Sequence, residues 1–172
     1  MTEALAPWHD FYTLVGGAAA TLIGLLFVAA SVGSSVFDHE RYPALRAFLS
    51  PSLVHLVCVL AASLIILAPL RRTAALGVLV GGTGGGGIVY AAWVWRGMLR
   101  HGLVAKIETD DRLWYAALPP VGYLLMAGAG LAFACGQNAG CFLLAASIAV
   151  LLLAAIRNAW DMTVWMVIRR QN

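Results

Sequence analysis

Charge is scarce in this chain: of 172 residues only 11% are Asp, Glu, Lys or Arg, while 62% are hydrophobic. A chain of that size cannot hide so much apolar surface in one water-soluble core, so lipid is its expected solvent. Acidic residues number 8 and are never gathered into the cluster that a metal-dependent transferase would need. The 4 histidines include no pair three or four positions apart, the spacing that sets two ligands on one helix face. Only His55 lies well inside an apolar run, with Cys58 one turn later, and a metal or haem there would need ligands from other helices. No Ser, His and Asp set has hydrolase spacing, so neither an enzymatic activity nor a cofactor is expected. The amino-terminal stretch lacks a basic n-region and its apolar run outlasts a signal's h-region, so it is expected to remain as a helix.

Long apolar runs are what the chain does have. Crossing a hydrocarbon core takes about 20 helical residues at roughly 1.5 Å each. Runs at about 11–33, 48–70, 73–95, 113–135 and 139–161 satisfy this, predicting an all-α fold: one polytopic domain of five transmembrane helices over residues 1–172. Polar turns at about 34–41 and 96–112 separate the first run from the second and the third from the fourth, and Pro69 with Arg71 and Arg72 ends the second. Pro51 is read as a first-turn proline of that second span, where a missing N–H is harmless. Gly136, Gln137 and Asn138 leave room only for a tight hairpin between the fourth and fifth spans, and the fifth is expected to continue as an interfacial helix to about residue 168.

Five spans put two basic residues, Arg71 and Arg72, on the amino-terminal side and nine on the other: Arg41, Arg46, Arg96, Arg100, Lys106, Arg112, Arg157, Arg169 and Arg170. The positive-inside bias then predicts an exterior amino terminus and a cytoplasmic carboxyl terminus. Trp8, Tyr12, Trp93, Trp95, Trp114, Tyr115, Trp160 and Trp165 fall near span ends, as an aromatic belt requires. A net charge of +3 divided among these turns forms no nucleic-acid patch.

The glycine run from 81 to 87 lacks the Gly-Lys-Ser/Thr ending of a phosphate loop and sits where the bilayer centre should be. Gly77, Gly81 and Gly85 recur every fourth residue, which points to close packing against a neighbouring backbone, with a hinge as the alternative. The first span carries a similar stripe, Thr13, Gly17, Ala20, Gly24 and Ser31, suited to a helix interface or to the wall of a narrow water path. Intramembrane ionisable groups mark function, so His55, Arg157, Asn158 and Asp161 form a candidate polar cluster on the cytoplasmic side; the alternative is that Arg157 snorkels and Asp161 stands in interfacial water. Cys135 and Cys141 flank the outer hairpin, where they are either bridged or two free thiols.

Three stretches, DFYTLVGGAAATLIGLLFVAAS at 10–31, SPSLVH at 50–55 and IRNAWD at 156–161, resemble a family of short bacterial inner-membrane proteins over nearly the whole chain. The resemblance implies a multi-pass protein of the bacterial inner membrane. The names given to similar chains add regulation of a membrane-bound AAA+ protease. Taken with the small-residue seams, the leading expectation is a self-associating, non-enzymatic protein that gives passage to an ion or small solute. An adaptor for other membrane proteins comes next, and a membrane-embedded redox or lipid enzyme third. The expected partners are the lipid bilayer, further copies of the chain and other membrane proteins.

Overall fold

The computed structural model describes residues 5–34, 42–70, 72–100, 114 and 117–169, with side-chain surroundings for 5–31, 51–70, 72–97, 99–100, 114 and 117–161. Five helices carry the described chain: α1 (His9–Ser34), α2 (Tyr42–Leu67), α3 (Thr73–Arg100), α4 (Leu118–Ala134) and α5 (Ala139–Arg169). A 3-10 turn, Ala6–Trp8, leads into α1 and carries a proline at its start. Asp10 stands in the first turn of α1, where the helix dipole favours a carboxylate. Helix is the expected outcome for such segments, because in lipid only a helix satisfies its own backbone groups within one segment.

Two helix boundaries carry local reasons. The turn between α4 and α5 is a Schellman motif: Gly136 takes φ 71°, its N–H donates to the Phe133 carbonyl at 2.9 Å, and Gln137 N–H donates to Ala132 at 2.8 Å. The second helix begins earlier than the sequence suggested. It starts at Tyr42, which places Pro51 inside the helix rather than in its first turn. The proline removes one backbone hydrogen bond there, a site where membrane helices bend and where neighbouring helices repair the loss.

Three segments are long and apolar enough to cross a membrane: Ala6–Ser31, Thr73–Gly97 and Ala139–Asp161. Pro51–Leu67 and Leu118–Ala134 are shorter apolar helices. The helix α2 that contains Pro51–Leu67 is 26 residues long in all. Arg41, Arg71, Lys106, Arg112 and Arg170, which enter the orientation count, lie outside the described residues, and the side chains of Arg46 and Arg169 lie outside them too.

Contacts run antiparallel between successive helices. Along α3, positions 77, 81, 84 and 87 meet Ala134, Gly130, Ala127 and Tyr123 of α4 in descending order. Along α4, Gly122 meets Leu151 of α5, and Phe133 meets Gly140. The starts of α1 and α5 lie together, because Trp8 packs edge-on against Phe142 at 4.9 Å and the Tyr12 hydroxyl donates to the Cys141 carbonyl at 2.9 Å. Ser63, near the end of α2, sits against Gly16 near the start of α1, so this pair is antiparallel too.

The fifth helix packs against α1, α2 and α4 and is more deeply buried than α1. Leu56, Val59, Val80, Met126, Phe133, Leu144, Ile148 and Leu151 fill the interior. Leu14, Phe27, Val78, Val89, Leu131, Phe142 and Leu153 point outward. An exterior this apolar suits lipid and would associate in water.

Candidate functional site

The core face of α2 carries polar groups among its aliphatic ones. Ser52, His55 and Ser63 are buried with Leu56, Val59, Ala62 and Ile66 at the three-to-four spacing of one helix face. His55, 3% exposed, brings Nδ1 to 2.7 Å from the hydroxyl of Tyr123, which is fully buried on α4. The two rings stand 5.7 Å apart at 59°. The tautomer sets the direction of this bond: with the ring proton on Nε2 the Tyr123 hydroxyl donates to Nδ1, and with it on Nδ1 the N–H donates to the phenolic oxygen. The thiol of Cys58, one turn beyond His55, lies on the side of α2 that faces the same hydroxyl.

Glycines make this arrangement possible. A Cβ on Gly87 of α3 would overlap the Tyr123 ring, so the missing side chain is the space that the ring occupies. Tyr90, one turn further along α3 and half-buried, is close enough to interact electrostatically with Tyr123. On the other side, Gly122 lets α5 approach. A Cβ there would stand 2.8 Å from Leu151, and the Gly122 carbonyl accepts from the Ser147 hydroxyl at 2.7 Å.

Among the described residues, two deeply buried oxygens have no hydrogen-bond partner, Ser63 Oγ and Asn158 Oδ1. Ser63 is 1% exposed and Asn158 4%. Such groups are few in folded proteins, and each marks either a strained position or the seat of a water or ligand.

Among the described residues no bond joins His55 to Arg157, Asn158 or Asp161. Arg157 Nε donates to Asp161 Oδ2 at 3.0 Å on a partly exposed face, with side chains 45% and 28% exposed. Asn158, the next residue along the same helix, is buried. Consecutive helix positions point about 100° apart, so Arg157 and Asn158 cannot both face His55. The imidazole takes its partner from α4 instead.

The packing glycines are corrected in part. Gly77 packs as expected, since a Cβ there would lie 2.6 Å from the Gly130 carbonyl oxygen, and Gly81 lies against the Gly130 Cα, 3.7 Å from where its Cβ would be. Gly85, Gly17 and Gly24 have nothing described within 4 Å of that position, and Gly84 rather than Gly85 completes the seam. Four residues advance a helix by 400°, so a strict every-fourth row drifts about 40° per step and leaves the contact by its third member. The stripe on α1 faces outward, with Thr13, Thr21 and Ser31 each donating to the carbonyl four residues earlier.

Cys135 and Cys141 are both free. The first is exposed at the end of α4 and the second is buried in the first turn of α5, so the two thiols occupy different sides of the hairpin. A membrane-impermeant maleimide should therefore label Cys135 in the folded protein and reach Cys141 only after denaturation. Equal labelling of both in the folded state, or of neither before reduction, would contradict this arrangement.

Sequence reasoning missed both buried tyrosines. Tyr12 was expected in the aromatic belt but is 1% exposed and ties α1 to α5. Tyr123 offered a signal: a phenol ten residues into an apolar run is too deep for a belt and needs a partner for its hydroxyl. Among the described residues no three of His, Cys, Asp and Glu stand together as a metal site would require. Compared with family models, with curated proteins and with solved structures, the chain matches none of them.

Proposed function

We propose that the protein is a five-span membrane protein of the bacterial inner membrane, amino terminus outside, that gives an ion or small solute passage through its helix bundle. The observation that carries this reading is the file of polar groups inside an otherwise apolar bundle: Ser63, the His55–Tyr123 pair with Cys58, and Asn158. Burying such groups among aliphatic side chains costs about 1–3 kcal/mol for each one left unpaired, a cost that a purely structural bundle has no reason to carry. Helices α2 and α4 extend the bundle to five spans on this reading, and the basic residues of the connecting turns favour a cytoplasmic carboxyl terminus.

The purified full chain in liposomes is expected to raise the flux of at least one of proton, sodium, potassium or glycerol above that of protein-free vesicles. Background flux for all four would refute passage. Independently, a reporter fused after Asn172 should read as cytoplasmic, and an exported one would reverse the orientation.

A second reading, docking within the bilayer, draws on one specific observation. Gly17 and Gly24 of α1 and Gly82 and Gly86 of α3 face outward with open space beside them. Small residues on a lipid-facing surface let another helix approach closely, as self-association or an adaptor would need. The mass of the protein in detergent, measured by light scattering, tests this, and a monomer at every concentration counts against it.

A further inference from the structure

We infer that the species carried is the proton, passed between the His55 imidazole and the Tyr123 hydroxyl at mid-depth and through water held at Ser63 on one side and Asn158 on the other. The inference rests on the passage reading above and names its substrate.

The depths follow from the helix contacts. Ser63 lies eight residues beyond His55 on α2, about 12 Å along the axis. It points toward the end of the bundle where α1 and α5 begin, since it packs on Gly16. On α5, Leu151 lies at Gly122, beside Tyr123. Asn158 is seven residues past Leu151, about 10 Å further in the opposite direction. The two buried oxygens without protein partners therefore bracket the His55–Tyr123 pair. Such an oxygen supplies one of the roughly two to four polar partners that an internal water needs, and on this inference a file of several waters joins each end to the pair.

Packing and chemistry select the proton over other cations. Tyr123 is fully buried and His55 is 3% exposed. Behind the tyrosine, α3 and α4 are in such close contact that a Cβ on Gly84 would lie 2.5 Å from the Ala127 nitrogen. A hydrated ion does not fit through such a seam, whereas a proton crosses by exchange of hydrogen bonds without an open lumen. An imidazole, a phenol and a thiol also fall short of the oxygen cage that a bare alkali cation requires. Among the described residues the titratable groups at this level are His55 and Cys58 of α2, Tyr123 of α4 and Tyr90 of α3. His9, Asp10 and Tyr12 of α1 and Cys141 of α5 stand at the starts of their helices, and Arg157 and Asp161 of α5 pair on a partly exposed face near Asn158.

One transit balances as follows. A proton from water bonds to Nε2, the Nδ1–H bond breaks as its proton passes to the phenolic oxygen, and the original hydroxyl proton leaves to the next water. Every N–H or O–H broken is matched by one formed, no electron moves, and exchange of the ring tautomer with reorientation of the hydroxyl resets the pair.

The test uses the full chain in potassium-loaded liposomes with a trapped pH-sensitive dye, valinomycin setting an inside-negative potential. Wild type should acidify the lumen several-fold faster than protein-free vesicles, and Tyr123→Phe and His55→Gln should each lower that excess at least tenfold. Cys135→Ser, outside the path, should retain it. Ser63→Ala guards against misfolding: it removes only an unpartnered buried oxygen, so it should unfold at the same temperature as wild type or higher and yet conduct protons more slowly. Wild-type proton flux in Tyr123→Phe, His55→Gln and Ser63→Ala together would overturn the inference. Sodium or glycerol flux without proton flux would overturn it while leaving passage intact, and the absence of any flux would remove both.

Discussion

Alanine at Gly84 or Gly130 should break the seam between α3 and α4 and lower stability by about 3 kcal/mol, the upper part of the range for overpacking a filled contact. The new Cβ at Gly84 would lie 2.5 Å from the backbone nitrogen of Ala127, and the one at Gly130 would overlap the backbone of Gly81. Backbone cannot rotate away as a flexible side chain can, so one whole helix must withdraw. Gly85→Ala is the control one residue away. Its Cβ meets nothing described within 4 Å, so the gain in helix propensity of roughly 0.5–1 kcal/mol should leave the protein as stable as wild type or more so. Unfolding midpoints in mild detergent with increasing dodecyl sulfate would rank the three variants. Equal midpoints for Gly84→Ala and Gly85→Ala would mean that the described seam is not the one that forms.

Tyr123→Phe should cost about 1–3 kcal/mol, because it takes away the hydrogen-bond partner of the buried His55 Nδ1. The ring would still fill the notch at Gly87, so the loss would report the hydroxyl and not the packing. His55→Leu should be destabilising for the complementary reason, since it leaves the buried Tyr123 hydroxyl without the imidazole. The double variant should recover part of the sum, as two apolar groups of similar shape need no hydrogen bond. A double-mutant cycle on unfolding free energy reads this coupling directly. Strict additivity would show that the 2.7 Å contact contributes nothing and would remove the pair from the candidate site.

The outward faces and the interior of this protein are made of nearly the same residues, and this limited what could be read from the chain. Gly84 and Gly85 are neighbours of identical chemistry, yet one is wedged against Ala127 and the other opens outward. Leu151 is fully buried while Leu153 points away from the core. In water such a difference would be written as polarity on the exposed side. In lipid both sides are apolar, so the rotation of each helix about its axis leaves little trace in composition. His55 was legible because an imidazole is out of place in an apolar run. Its partner was not, because choosing between α4 and α5 requires knowing which neighbour the face of α2 meets.

The chain by itself determined the helical class, the ends of most of the helices, the tight hairpin at Gly136 and the apolar exterior suited to lipid. These follow from local chemistry: the lengths of apolar runs, the positions of proline and glycine, and the scarcity of charge. Tertiary structure alone decided that His55 bonds Tyr123 and that Ser63 and Asn158 hold buried oxygens with no partner among the described residues. Each of these depends on how far one helix is turned toward another, and that angle is set by steric fit at a few glycines, where a single missing Cβ admits a ring at Gly87 or a backbone at Gly84.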